Sequence, residues 1–191
     1  MRDLGVLIID LTSGNNQRAE TAAVEIPVHG VKALDNLKEL LVSPDADQRW
    51  WATRALSAFK EPEAGALLAG QLEDPDTSVR YCAALALSRH QHHASIAKLI
   101  TVLDSEDSLL SRLAADALVA AGAAAVEPLM DILDTGKANA KIEAARALAL
   151  IGDQRAVPAL FKLLDSDSLS LQHWANEGLE KMGVGMNFFK P

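Results

Sequence analysis

One sixteen-residue block recurs six times along this chain, and that repetition constrains the fold more than any other feature. The blocks begin at Leu11, Leu41, Leu72, Leu103, Leu133 and Leu164, in steps of 30, 31, 31, 30 and 31 residues, with no internal gap. A unit this short cannot bury a core alone and gains stability by stacking on its neighbours, so the period predicts an array of like units. With the first Leu as column one, column twelve is alanine in every copy: Ala22, Ala52, Ala83, Ala114, Ala144 and Ala175. Column sixteen is Ile26, Leu56, Leu87, Leu118, Leu148 and Leu179. Column thirteen is Ala in four copies, with Thr53 and Asn176 as exceptions. Residues four apart share a helix face, so small Ala and bulky Leu form one packing stripe. This is the second helix of each unit, helix B.

Helix A precedes each block. Its apolar residues fall at helical spacing, as in Leu34, Leu37 and Leu41, Ile96, Leu99 and Leu103, Val126, Leu129 and Leu133, and Val157, Leu160 and Leu164. Polar turns separate A from B: Ser43-Pro44-Asp45, Asp74-Pro75-Asp76, Asp104 to Asp107, Asp134-Thr135-Gly136 and Asp165-Ser166-Asp167. Such residues stop one helix and cap the next. Gly122, Gly152 and Gly183 close the last three B helices, and Pro62, Pro128 and Pro158 sit at helix A starts. Composition agrees. Ala (33) and Leu (29) supply about a third of the chain while aromatics are 4%, which favours helices over a β-sandwich or barrel. The predicted frame is one repeat domain over 1–184, with repeats near 1–30, 31–61, 62–92, 93–123, 124–153 and 154–184. The tail 185–191 would fold back over the last repeat or stay disordered, with a docking segment as the alternative. The end copies depart from the pattern: Arg18 replaces an apolar residue, Pro27 cuts helix B of the first repeat, and Asn176 and Gly178 stand where the last expects Ala.

Asp74-Pro75-Asp76-Thr77-Ser78-Val79-Arg80, followed by Ala83-Ala84 and Ala86-Leu87, carries a family likeness. So does Ala144-Ala145-Arg146-Ala147-Leu148-Ala149-Leu150-Ile151-Gly152-Asp153 followed by Ala156-Val157-Pro158. The pattern resembles the HEAT-like repeats named from phycobilisome linker-pigment lyases, and the likeness spans nearly the whole chain. It implies an all-α fold, a right-handed α-solenoid superhelix of about six two-helix repeats. It says little about activity, because one repeat type serves many functions.

Six copies also show which columns drift. Column ten reads Glu20, Trp50, Tyr81, Arg112, Ile142 and His173; column eleven reads Thr21, Trp51, Cys82, Leu113, Glu143 and Trp174. All three Trp and the single Tyr fall in these two columns. Leu85 and the arginines Arg54 and Arg146 join them from column fourteen, and Arg89 lies nearby. Trp, Tyr and Arg dominate binding hot spots, and in HEAT-like solenoids this face resembles the concave, partner-binding wall. The expected groove is therefore Trp50, Trp51, Arg54, Tyr81, Leu85, Arg112, Leu113, Ile142, Arg146, His173 and Trp174. Apolar residues would anchor a protein or peptide, and Arg54, Arg112 and Arg146 would orient acidic groups on it. Glu177 and Glu180 reverse the sign in the last repeat. Packing between uneven helices is the competing account of these aromatics.

Charge and motifs narrow the rest. Net charge is −8, from 26 acidic against 18 basic residues, which opposes nucleic acid and anionic membranes. The apolar run Leu4 to Ile9 is too short to span a bilayer and lacks a signal peptide's basic start, so the expected location is cytoplasmic. One cysteine, Cys82, excludes an internal disulfide framework. As a thiol beside Tyr81 it could accept a bilin, although a free Cys is usually a small buried hydrophobe. His90, His92 and His93 crowd one turn without metal-ligand spacing. The chain has no His-Glu dipeptide, no phosphate-binding Gly-rich loop and no nucleophile elbow. The expectation is a non-catalytic scaffold without cofactor, taking a partner with an acidic and apolar segment and able to self-associate through its first repeat. The alternative implied by the resemblance is a bilin lyase or chaperone subunit.

Overall fold

The computed structural model describes residues 2–89 and 92–184. These residues form twelve α-helices and no strand, with short 3-10 turns between some of them. They divide into two compact units, Met1–Ser95 and Ile96–Pro191. Unit 1 holds α1 (Leu4–Leu11), α2 (Asn16–Glu25), α3 (Val31–Leu41), α4 (Ala46–Leu56), α5 (Pro62–Gln71) and α6 (Thr77–Leu87). Unit 2 holds α7 (Ile96–Leu103), α8 (Ser108–Ala121), α9 (Val126–Thr135), α10 (Ala138–Ile151), α11 (Val157–Leu163) and α12 (Leu169–Lys181). Odd-numbered helices are A and even-numbered helices are B. Each A packs against the B that follows it. The B helices then lie side by side, α2 on α4 on α6 in unit 1 and α8 on α10 on α12 in unit 2. This is the all-helical repeat architecture that the period predicts.

The packing stripe explains the fixed columns. Every column-twelve Ala is 0% exposed, and no column-sixteen residue exceeds 2%. Ala lets adjacent B helices approach, and the Ile or Leu one turn later fills the space beside it. Thr53 fits column thirteen because its buried hydroxyl donates to the Arg49 carbonyl at 2.8 Å. Asn176 is exposed, since α12 has no further B helix beyond it among the described residues. Gly178 has a different cause. A Cβ there would lie 3.0 Å from the Ala149 Cα and 2.8 Å from Leu160 Cδ1, so the glycine permits the close approach of α12 to α10.

Column five supplies the N-caps. Asn15, Asp45, Asp76, Asp107 and Ser168 each accept a backbone N–H of the helix they start. Ser168, not the expected Asp165-Ser166-Asp167 run, caps α12. Column nine has a role the sequence reading did not assign. Arg49 donates to the Ser43 and Pro44 carbonyls and Arg80 to those of Asp74 and Pro75. Ser111 donates to Leu103, Lys141 to Asp134 and Gln172 to Ser166. In five copies a side chain on helix B thus ties down the turn that precedes it; Ala19 is the exception. Arg49 also forks onto Asp74 of the next turn, at 2.7 and 2.9 Å. Burial would raise the Asp74 pKa, but Arg49 and the Asp76 N–H together hold it below the ordinary carboxylate range.

The ends behave as their sequences imply. The α2 helix stops at Glu25, and a 3-10 turn follows through Pro27. Arg18 binds the buried Asp10, which Arg2 also reaches at 2.7 Å. The apolar stretch Ser108–Thr135 has the length of a membrane span, but Gly122, at φ 66, splits it into α8 and α9. Those helices have 14 and 10 residues, too few to cross a bilayer singly. The tail beyond residue 184 lies outside the described residues.

Candidate functional site

In unit 1 the variable columns open a cleft between α4 and α6. Trp50, Arg54 and Ser57 are three and four residues apart and share one face. On α6 and the turn after it, Ser78, Tyr81, Cys82, Leu85, Ala86 and Arg89 make the facing wall. The cleft, open on one side, has a volume of about 400 Å3, within the range of small-molecule sites. Leu85 is 51% exposed, so the cleft has an apolar lip. Trp51 meets Trp50 edge-to-face, with centroids 4.7 Å apart and planes at 88°. It lines a separate depression with Asn16, Asp47 and Ser78. The two tryptophans thus brace each other, and Trp50 alone borders the cleft.

The charges of the cleft are partly committed. The Arg54 guanidinium pairs with Glu20 of α2 and donates to the Ser57 hydroxyl at 3.0 Å. Arg89 is exposed at the rim. Cys82 is 8% exposed, and burial pushes its thiol up to about 12 even though Arg54 and Arg89 favour the thiolate. It is therefore a neutral thiol at physiological pH. Covalent capture of an electrophile by Cys82 is accordingly suppressed.

Unit 2 places the same columns differently. Arg146 was expected to meet a partner, but its side chain is only 5% exposed. Its Nε donates to Glu143 at 2.6 Å and its Nη2 to Asp116 at 2.7 Å and to the Arg112 carbonyl at 3.2 Å. Burial would lower its pKa; Glu143 and Asp116 more than compensate and hold it above the ordinary value. Its guanidinium is spent inside the protein. Arg112 is exposed and lies 3.8 Å from Glu143. Leu113 and Ile142 are half-buried. His173 is exposed and tilts at 57° against the half-buried Trp174, centroids 4.9 Å apart.

Three carboxylate partners in these networks, Glu20, Asp116 and Glu143, were not among the expected site residues. A signal for the first existed. Arg54 and Arg146 both reach column ten of the preceding copy, 34 residues back, at Glu20 and at the Arg112 carbonyl. Among the described residues no three His, Cys, Asp or Glu side chains converge as a metal site. His92 is buried, with its ring where a Cβ on Gly65 would lie (2.6 Å to Nδ1), while His90 lies outside the described residues.

Comparison with known proteins gives this scaffold a context. A family model described as HEAT repeats matches residues 16–88, 34–119 and 126–184. A phycobilisome maturation protein of Synechococcus elongatus is 35% identical over 101 residues, 52% of this chain. The chain spans about half of that relative, 49% of its length. The complex of CpcE and CpcF of phycocyanin lyase from a Nostoc species shares the fold at a TM-score of 0.57 and 23% identity, covering 96% of this chain and 78% of that one. An archaeal HEAT-like repeat protein of Thermococcus onnurineus matches at 0.65 and 16% identity, over 97% and 82% of the two chains. The scaffold is one suited to protein interaction. The expectation that the chain is not an enzyme is corrected here: the named relative acts in phycobilisome maturation, and the fold recurs in a lyase.

Proposed function

Because the chain belongs to the HEAT-repeat family, we propose that it acts in phycobilisome maturation as a lyase-type subunit. It would hold a bilin at the α4–α6 cleft while engaging a protein partner, in the cytoplasm. The observation that carries the reading is the cleft itself, where Trp50, Tyr81 and Leu85 line about 400 Å3 beside Arg54 and Arg89. A bilin is a flat conjugated chain with acidic tails. Aromatic faces suit its rings, and guanidinium groups suit its carboxylates. Arg54 is already engaged by Glu20, so Arg89 is the rim cation for one tail and Arg54 serves the second when Glu20 yields. Cys82 remains a thiol, which makes the protein a holder of pigment and leaves covalent attachment to a thiol of the partner.

Titration with phycocyanobilin tests this. Binding should quench Trp fluorescence and shift the pigment's visible band, and Trp50→Leu with Tyr81→Leu should weaken it by about tenfold or more. An unchanged pigment spectrum at saturating protein sinks the reading. A second reading concerns self-association. The first helix pair exposes Val6 (48%), Ile9 (65%) and Val24 (60%), and an apolar face of this kind suits another copy. Sedimentation velocity should show a dimer that Ile9→Lys dissociates; a monomer at high concentration removes the idea.

A further inference from the structure

We propose that unit 2 carries a separate cation site, between α10 and α12, that receives an arginine or lysine from a basic segment of a partner protein. Trp174, Glu177 and Glu180 are three residues apart along α12 and share one face. With Ala149 and Leu150 of α10 they line a cleft of about 290 Å3. Its floor is apolar, its wall aromatic and its rim anionic. Lys181 also borders it, but its Nζ donates to the Leu150 carbonyl at 2.5 Å. That contact satisfies a C-terminal carbonyl of α10, where the helix dipole favours a cation. Glu177 and Glu180 form no ion pair with any other described residue.

An aromatic face beside two carboxylates selects for positive charge. A guanidinium or ammonium group over Trp174 gains a cation–π contact and two charge partners, while its aliphatic stem lies on Leu150. A carboxylate in the same place would be repelled. Net charge of −8 adds a long-range field that speeds encounter with basic segments. A basic segment here accords with the change of sign at Glu177 and Glu180 in the last repeat, where the guanidinium of Arg146 is turned inward. The site does not depend on the pigment reading, which concerns unit 1.

The test is fluorescence anisotropy with the labelled peptide Ac-GLRLRG-NH2 and its counterpart in which Glu replaces both Arg. Wild type should bind the Arg peptide and not the Glu peptide, with affinity falling as salt rises. The double variant Glu177→Gln/Glu180→Gln, at two exposed positions, should weaken binding by about tenfold or more, and Trp174→Leu by about tenfold. Trp50→Leu should leave it unchanged, which separates this site from the pigment cleft. Equal affinity for the two peptides overturns the proposal. So does equal affinity in the Gln double variant, which carries the test should Trp174→Leu fail to fold. Absence of binding to wild type up to roughly 1 mM overturns it as well.

Discussion

Arg54 and Arg146 occupy the same column of the repeat, one in each unit, yet only one of them borders an open cleft. The Arg54 side chain is 21% exposed and that of Arg146 is 5%. Each reaches back 34 residues to column ten of the preceding copy. The difference lies three residues earlier on the same helix, at column eleven. There Arg146 meets Glu143, which is itself buried and binds its Nε at 2.6 Å. Arg54 has Trp51 at that position, and Trp51 packs on Trp50 instead. Glu143, together with Asp116 where the other unit has Val24, thus makes a guanidinium that would border a cleft part of an internal ion network. A column alignment identifies where a side chain starts; its neighbours decide where it ends.

The largest test of this contrast is Arg146→Ala. It leaves Glu143 buried with its close partner removed and should cost about 3–5 kcal/mol in urea unfolding. Arg54→Ala, at the more open pair, should cost about 1 kcal/mol or less. Joining Arg146→Met to Glu143→Leu should restore most of the lost stability, since replacing a buried pair by packed apolar groups is close to neutral. Equal losses at the two arginines would break the contrast.

The buried fork between Arg49 and Asp74 comes next, with Asp74→Asn expected to cost about 2–3 kcal/mol at pH 7. The pH dependence has a definite sign. The folded pKa of Asp74 lies below its unfolded value, so its contribution is complete above about pH 4 and is lost as pH falls through the folded pKa. The gap between wild type and Asp74→Asn should therefore narrow in acid. A gap that is constant from pH 7 to pH 2 would show that the carboxylate charge is not what Arg49 reads. Gly178→Ala should cost about 1–3 kcal/mol, because the new Cβ meets α10 backbone at 3.0 Å. The smallest expected change in stability is at Trp50→Leu, which keeps an apolar group in a half-buried position. Its cost should stay within about 1 kcal/mol while pigment binding falls. Unfolding by this variant would move Trp50 from the cleft to the core.

Much of the fold was legible because packing recurs. Column twelve Ala and column sixteen Leu or Ile face the same neighbours in all six copies, and column five caps helix B in five of them, Lys137 being the exception. Column nine was harder to read. Arg49, Arg80, Ser111, Lys141 and Gln172 share no size or charge, only the ability to donate to a nearby carbonyl. The aromatic columns are the ones that vary from copy to copy, and the α4–α6 cleft gathers Trp50, Arg54, Tyr81 and Leu85 from the expected set. Glu20, Asp116 and Glu143 were not expected because each acts through an arginine whose direction the repeat columns do not record.

The sequence by itself determined the helical repeat, its period and the caps of α4, α6 and α8, and it marked two columns as candidates for function. Those properties follow from local propensity and from spacing along one helix face. Only the tertiary structure decided which members of those columns face a cleft and which turn inward. That choice depends on what the neighbouring helix presents, Asp116 and the Arg112 carbonyl for Arg146, or Glu20 for Arg54, together with Glu143 on the helix of Arg146 itself. Ion pairing and burial across helices are set by contacts some 30 residues apart, and no single column records them.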